Sequence, residues 1–321
     1  MGCVVPAPRD PALLVRAARL YYEDQRSQQE VAEALKLSRS NVSRLLAAAR
    51  EQGIVEIRIN DPSGRDLALE AALAAAFELS DCRVASVRPG QVALAAVGRL
   101  GAEWLLGNVR PGQRVSLSWG QTLQAMVEAV HPERALAVEV APLVGGLSSV
   151  ASETTGEELV RELAGRLGAK FKRLHAPALL ESKAARDTLL LEPAIASVLD
   201  AGRRSSVSFV GVGAYGWGAS AAIIEALRLD DAERARFEAA GPVGDLCARF
   251  FDDAGRSIAG VVDDRVLGVS LGDLRRIPTV VGLAAGIEKC RGLLGALRGG
   301  YLDVLVCDSA LAQAVIEARE R

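Results

Sequence analysis

Ser27-Gln28-Gln29-Glu30-Val31-Ala32-Glu33-Ala34-Leu35-Lys36-Leu37-Ser38-Arg39-Ser40-Asn41-Val42-Ser43-Arg44-Leu45-Leu46-Ala47-Ala48-Ala49-Arg50 decides the fold at the head of the chain. Ser27-x-x-Glu30 is a capping box, in which hydroxyl and carboxylate satisfy the first free amides of a helix. That helix buries Val31, Ala32 and Leu35 and ends near Lys36-Leu37. Ser38 caps a further helix, Arg39 to about Gln52, which Gly53 stops. Upstream, Leu13, Leu14, Ala17, Leu20 and Tyr21 form the apolar stripe of a helix over Pro11–Glu23. Three short helices with a tight break before the last describe a helix-turn-helix.

The last of these helices is two-faced. Val42, Leu45, Leu46 and Ala49 converge on one side, while Ser40, Ser43 and Arg44 point the other way with Asn41 on the flank. An apolar back that docks and a front of short hydrogen-bonding side chains plus Arg suit a recognition helix in a DNA groove. Gln28, Ser38, Arg39, Ser40, Asn41, Ser43 and Arg44 are therefore the candidate DNA-contacting residues. No acid lies between Lys36 and Arg50, and residues 1–60 carry nine Lys/Arg against seven Asp/Glu in a chain of net charge −2. A small basic module heads an acidic remainder.

After Gly53, Ile54-Val55-Glu56-Ile57-Arg58-Ile59 alternates like a half-buried strand and suggests a small wing. Asp61-Pro62-Ser63-Gly64 reads as a turn and linker, dividing a DNA-binding domain at 1–60 from a second domain at 61–321. There, an Ala/Leu-rich helix at Leu67–Phe77 precedes strands at Cys82–Val87, Arg114–Leu117, Ala137–Leu143, Ser206–Val210, Thr279–Leu283 and Val304–Val306. Amphipathic helices at Val92–Leu106, Thr122–Val130 and Glu157–Leu167 are interleaved with them. Apolar strands alternating with helices predict an α/β domain with a mostly parallel, Rossmann-like sheet.

Ligands of such sheets sit at the carboxyl ends of strands. Ser118-Trp119-Gly120-Gln121-Thr122 follows one strand and opens a helix, offering hydroxyls, backbone N–H groups and a positive dipole end to an anion. Gly145-Gly146 follows another strand and permits close backbone approach. Gly211-Val212-Gly213-Ala214-Tyr215-Gly216 has the form of a dinucleotide fingerprint. The stretch about twenty residues on, Leu229–Arg236, is charged and helical where a second strand is needed. A nicotinamide cofactor is not expected. Asp245, Asp264-Arg265 and Lys289 are charged residues in apolar or Gly-rich company, and Lys289 stands just past a strand end where a helix starts.

Composition excludes other classes. Half the residues are hydrophobic and 24% are charged, enough to bury a sizeable core. The five cysteines are scattered, without Cys-x-x-Cys, so a disulfide framework is not expected. The two histidines, His131 and His175, have no neighbour at metal-ligand spacing, so no metal or cofactor is expected. The head of the chain is too short and too weakly apolar for a signal peptide. The longest uncharged run, Ser205–Ile224, holds four Ser and four Gly and reads as a buried strand and glycine loop. A cytoplasmic protein with no membrane partner is expected.

These residues together resemble the SorC family of bacterial transcriptional regulators. The resemblance rests on Gln28–Ala32, Ser38–Arg44, Ser118–Thr122, Leu143–Gly146, Gly244–Asp252, Arg265–Val269 and Gly286–Lys289, in order, over about residues 12 to 318. It implies a sugar-binding effector domain similar to the glucosamine-6-phosphate deaminase and ribose-5-phosphate isomerase fold, and a phosphorylated sugar as effector. It further implies a homo-oligomer, commonly a tetramer, that binds operator DNA as a repressor of carbohydrate genes. Carried onto this chain, Ser118, Trp119, Gly120, Gln121 and Thr122 would cradle phosphate with Gly145 and Gly146 nearby. Asp245 would accept hydrogen bonds from sugar hydroxyls and Lys289 would reach the phosphate. The same fold leaves a second reading, a sugar-phosphate isomerase or deaminase with Asp245 and Lys289 as an acid/base pair. Such an enzyme has no use for the first sixty residues, and no catalytic residue is assigned.

Overall fold

Asp10 accepts a hydrogen bond from the Ala12 amide and Pro11 takes the first helical position, so helix α1 (Pro11–Ala18) starts there. The computed structural model describes residues 10–55, 64–87, 92–147 and 156–320. The stripe expected through Glu23 continues from α1 as a π-helical turn, Arg19–Glu23, with the Asp24 amide closing on the Arg19 carbonyl. Helix α2 (Gln28–Leu35) opens with the full capping box: Ser27 Oγ accepts from the Glu30 N–H and the Glu30 carboxylate accepts from the Ser27 N–H. Lys36, in the left-handed region at φ +55°, ends α2. Helix α3 (Arg39–Glu51) follows, its N-cap Ser38 accepting from the Asn41 N–H.

Leu14, Ala17, Val31, Ala32, Val42, Leu45, Leu46 and Ala49 form one buried cluster among α1, α2 and α3. Each large aliphatic side chain so buried contributes about 1.5–3 kcal/mol. Ile54 and Val55 pack against this cluster as a bend. The rest of the expected wing strand, residues 56–59, lies outside the described residues. By contact density the chain divides into two units, Met1–Ile59 and Asn60–Arg321.

The second unit alternates as its periodicity demands. Helix α4 (Leu67–Phe77) precedes strand β1 (Asp81–Ala85), then α5 (Ala93–Asn108), β2 (Arg114–Leu117), α6 (Gln121–Glu128), β3 (Glu139–Pro142), α7 (Gly156–Leu167) and β4 (Lys170–Phe171). Two helices, α8 (Lys183–Leu191) and α9 (Pro193–Arg203), lead to β5 (Val207–Gly211), α10 (Gly218–Ala226) and α11 (Asp231–Ala239). A hairpin of β6 (Gly244–Leu246) and β7 (Arg249–Phe251) follows, with short helices α12 (Val261–Asp264) and α13 (Leu271–Leu274). Strand β8 (Val280–Ala284), α14 (Cys290–Arg298), β9 (Val304–Asp308) and α15 (Ser309–Glu320) close the unit.

Seven strands form one parallel sheet in the order β1-β9-β8-β5-β2-β3-β4. Alternation along the strands feeds two cores: in β9, Leu305 and Cys307 join one buried cluster and Val304 and Val306 the other. A sheet covered on both faces explains why its strands read as nearly continuous apolar runs. From β2 the chain steps outward through β3 and β4, then returns to lay β5 on the other side of β2. The direction of winding reverses between β2 and β5, where a crevice opens beyond the strand ends.

Candidate functional site

On α3, Arg39, Ser40, Asn41, Ser43 and Arg44 are exposed, while Val42, Leu45, Leu46 and Ala49 are buried on the opposite side. The helical wheel drawn from sequence is the observed one. Arg44 Nη2 donates to Asn41 Oδ1 at 2.8 Å and its Nε to the Ser40 carbonyl at 3.3 Å, so the guanidinium lies along the helix surface. The Ser38 hydroxyl is engaged by the cap and by Ser40 Oγ at 3.0 Å. Gln28, the first residue of α2, is half-buried.

In the second unit, a cavity of about 380 Å³ lies at the β2/β5 crevice. Three neighbouring strand ends build it. Beyond β2, Ser118, Trp119, Gly120, Gln121 and Thr122 all line it, with Gly120 as the N-cap of α6. Beyond β5 come Val212, Gly213, Ala214 and Trp217, then Gly218, Ala219 and Ser220 in the first turn of α10. Beyond β8, the Ile287–Lys289 3₁₀ turn brings in Glu288 and Lys289, with Lys289 as the N-cap of α14. The β6–β7 hairpin adds Asp245 and Cys247. Two helix N-termini, of α6 and α10, thus open on one space.

Polar groups are paired within this wall. Lys289 Nζ donates to Thr122 Oγ1 at 3.3 Å. Ser118 Oγ accepts from the Gly211 N–H at 3.3 Å, tying the end of β2 to the end of β5. Asp245 Oδ1 accepts from Ser220 Oγ at 2.6 Å and Oδ2 from the Ala248 N–H at 3.1 Å. Only glycine fits at 213, because a β-carbon there would stand 1.9 Å from Asp245 Oδ1 and 2.3 Å from Ser220 Oγ. Burial pushes the Asp245 carboxyl above the usual carboxylate range, against the pull of Ser220, Ala248 and Lys289. Burial likewise lowers Lys289, opposed by Glu288, Asp245 and Asp308. The Cys247 thiol is pushed up to about 12, by burial first and then by Asp245, so it stays protonated.

Gly145 and Gly146, expected to bind the effector, are not part of the lining, which takes the next residue, Leu147. Gly145 packs backbone on backbone instead: a β-carbon would lie 2.5 Å from the Pro177 carbonyl, and its N–H donates to Leu267. Arg265 also has another task, its Nε donating to the Leu180 carbonyl. Conversely, Gly211 and Gly213, set aside as an incomplete dinucleotide fingerprint, form part of the cavity wall. That motif marked a close backbone approach correctly; the approaching group is the chain's own Asp245. Trp217 and Ser220 were missed, and only their place just after a glycine-rich strand end could have signalled them; Cys247, also missed, comes in from the turn of the β6–β7 hairpin.

The sugar-binding-domain family model (Sugar-bind) matches residues 61–317, and a MarR-family model matches residues 18–66. The chain is 32% identical over 315 residues to the sorbitol operon regulator of Klebsiella pneumoniae, covering 96% of this chain and 98% of that one. It is 31% identical over 306 residues to the deoxyribonucleoside regulator of Bacillus subtilis (strain 168), covering 95% and 97%. The crystal structure of the full-length sorbitol operon regulator SorC from Klebsiella pneumoniae matches with a TM-score of 0.72 at 30% identity, over 95% of this chain and 98% of that one. Among the described residues, no helix is long and apolar enough to cross a membrane, and no cluster of metal-ligating side chains is found.

Proposed function

The chain belongs to the SorC family of sugar-binding transcriptional regulators, and on that premise we propose that a phosphorylated sugar in the β2/β5 cavity controls its binding to operator DNA. The protein acts in the cytoplasm as a repressor of carbohydrate genes. Residues 1–60 are the DNA-binding domain and residues 61–321 the effector and oligomerisation domain. Arg44, held by Asn41, reads a base edge. Arg39, Ser40 and Ser43 line the contact, with Ser38 and Gln28 at the helix starts facing phosphates.

One observation carries the effector assignment: the Lys289 ammonium and the Thr122 hydroxyl meet at the N-terminus of α6, in the cavity that the buried Asp245 carboxyl also lines. A cation, a hydroxyl and backbone amides at a helix N-terminus suit a phosphate. Asp245, from the hairpin, suits sugar hydroxyls. A dianion there adds to Glu288, Asp245 and Asp308 in favouring the charged ammonium against burial. The isomerase or deaminase reading is not favoured, since relatives spanning nearly the whole chain are regulators.

Effector binding changes DNA affinity only insofar as the effector prefers one arrangement of the oligomer; couplings of about 1–3 kcal/mol are typical. The test is a calorimetric screen of pentose and hexose phosphates beside their unphosphorylated parents. Phosphates should bind more tightly than parents. Lys289→Ala should weaken the effector response by about tenfold or more while leaving effector-free operator binding nearly intact. Parents binding as tightly as phosphates, or a wild-type response in Lys289→Ala, would refute the phosphate site.

A further inference from the structure

Trp217 breaks two local rules at once. It lines the cavity yet leaves 63% of its surface in solvent, so it stands at the opening rather than within the wall. A tryptophan is ordinarily well buried, because its large apolar ring gains most from leaving water. It is also the N-cap of α10 and makes no side-chain capping hydrogen bond, at a position where Ser, Thr, Asp or Asn would stabilise the helix. A residue that forgoes both burial and capping marks a place where folding stability yields to function.

Its backbone is nonetheless fixed. The Trp217 N–H donates to the Ala214 carbonyl and its own carbonyl accepts from the Ala221 N–H. Gly216 at φ +84° and Gly218 at φ +50° bracket it, both left-handed. Neither glycine is crowded: a β-carbon at either would meet nothing within 4 Å. The glycines are there for backbone conformation, and the conformation they impose sets the indole at the cavity opening.

Given the cavity as the effector site, we infer that Trp217 is a specificity-determining residue, a stacking platform that selects effectors with a ring. A furanose or pyranose presents a face of C–H groups and an edge of hydroxyls. The indole takes the face, Asp245 and Ser220 take the edge, and Lys289 with Thr122 takes the anion. An acyclic phosphate offers the anion and hydroxyls but no such face. Trp217 stands beyond β5, Thr122 and Lys289 beyond β2 and β8, and Asp245 on the hairpin, so truncating the indole leaves the cation and the carboxylate in place.

The experiment uses the full-length protein and isothermal calorimetry with ribose 5-phosphate, glucose 6-phosphate, glycerol 3-phosphate and inorganic phosphate. Wild type, Trp217→Ala and Trp217→Phe are compared after thermal melts show that all three fold. The ring compound that binds should lose about tenfold or more in Trp217→Ala and about threefold or less in Trp217→Phe, while the acyclic anions change within about twofold. Indole emission should shift on adding the ring compound, and that shift should shrink in Trp217→Phe to the share left to Trp119, which also lines the cavity, while Trp104 is buried away from it. An equal loss for ring and acyclic ligands, or none for either, overturns the stacking role. So does wild-type protein that binds no ring compound more tightly than glycerol 3-phosphate or glycerol. If ribose or glucose binds as tightly as its phosphate, the anion assignment fails separately, and the Trp217→Ala ratio of ring sugar to glycerol still decides the stacking.

Discussion

Arg44 is held on its helix by Asn41 Oδ1 and the Ser40 carbonyl, so the proposed recognition front is a pre-set pair rather than one long side chain. Holding a guanidinium in place reduces the rotamer freedom lost on binding a base edge. Arg44→Ala should therefore cost about 1–3 kcal/mol in operator affinity and relax preference at one base position. Asn41→Ala should cost less than Arg44→Ala at the same position, because the arginine remains. Quantitative gel shifts against single-base operator variants check both, and unchanged affinity in a folded Arg44→Ala protein would sink the assignment. At this scale sequence went far, since the residue types and their helical spacing already separate buried from exposed positions. It could name Asp245 and Lys289 as charges in apolar company. It could not supply their partners, because Ser220 and Thr122 approach them only across the fold.

Among the elements, the short helix α13 shows how one carboxylate holds several pieces together. Asp273 accepts from the Ser270 N–H at 2.9 Å as half of a capping box and pairs with Arg203 Nε at 3.2 Å and with Arg276. Burial alone would raise its pKa, but the Ser270 N–H and hydroxyl and Arg203 outweigh that and lower it. A depressed carboxylate contributes stability that is present above its unfolded value of about 3.9 and lost as pH falls through the folded value. Asp273→Asn should destabilise the protein by about 1–3 kcal/mol at neutral pH. It should also flatten the loss of stability below about pH 4. Urea midpoints of both proteins across that range decide it, and parallel acid slopes would count against the assignment. The β6–β7 hairpin was illegible for a definite reason. Its two-residue turn, Cys247-Ala248, sits at φ +54° and +63° without the Asn-Gly or Asp-Gly that normally announces such a turn. Left-handed backbone in ordinary residues persists where surrounding structure over-determines it, and here the Ala248 N–H is held by Asp245.

For the whole molecule, one short recognition helix reads only a few base pairs, so specificity needs symmetric half-sites and hence an oligomer. Sedimentation of the full-length protein at micromolar concentration should show a dimer or tetramer, the tetramer being the expected form; a monomer with and without operator DNA would refute oligomeric binding. The sequence by itself determined the three N-terminal helices, the Ser27 and Ser38 caps, the two faces of α3, the alternation of strands and helices, and the candidate loops after β2 and β8. All of these depend on residues within a few positions of one another, which is the range over which periodicity and capping act. Only the tertiary structure decided which loops share a site. Strand order places the ends of β2, β5 and β8 side by side, although their loops lie far apart in the chain. It also turned Gly145 to packing against Pro177, made Gly213 the seat of Asp245, and set Trp217 at the opening. These are contacts between distant segments, selected by the burial of both sheet faces together, and no local pattern encodes them.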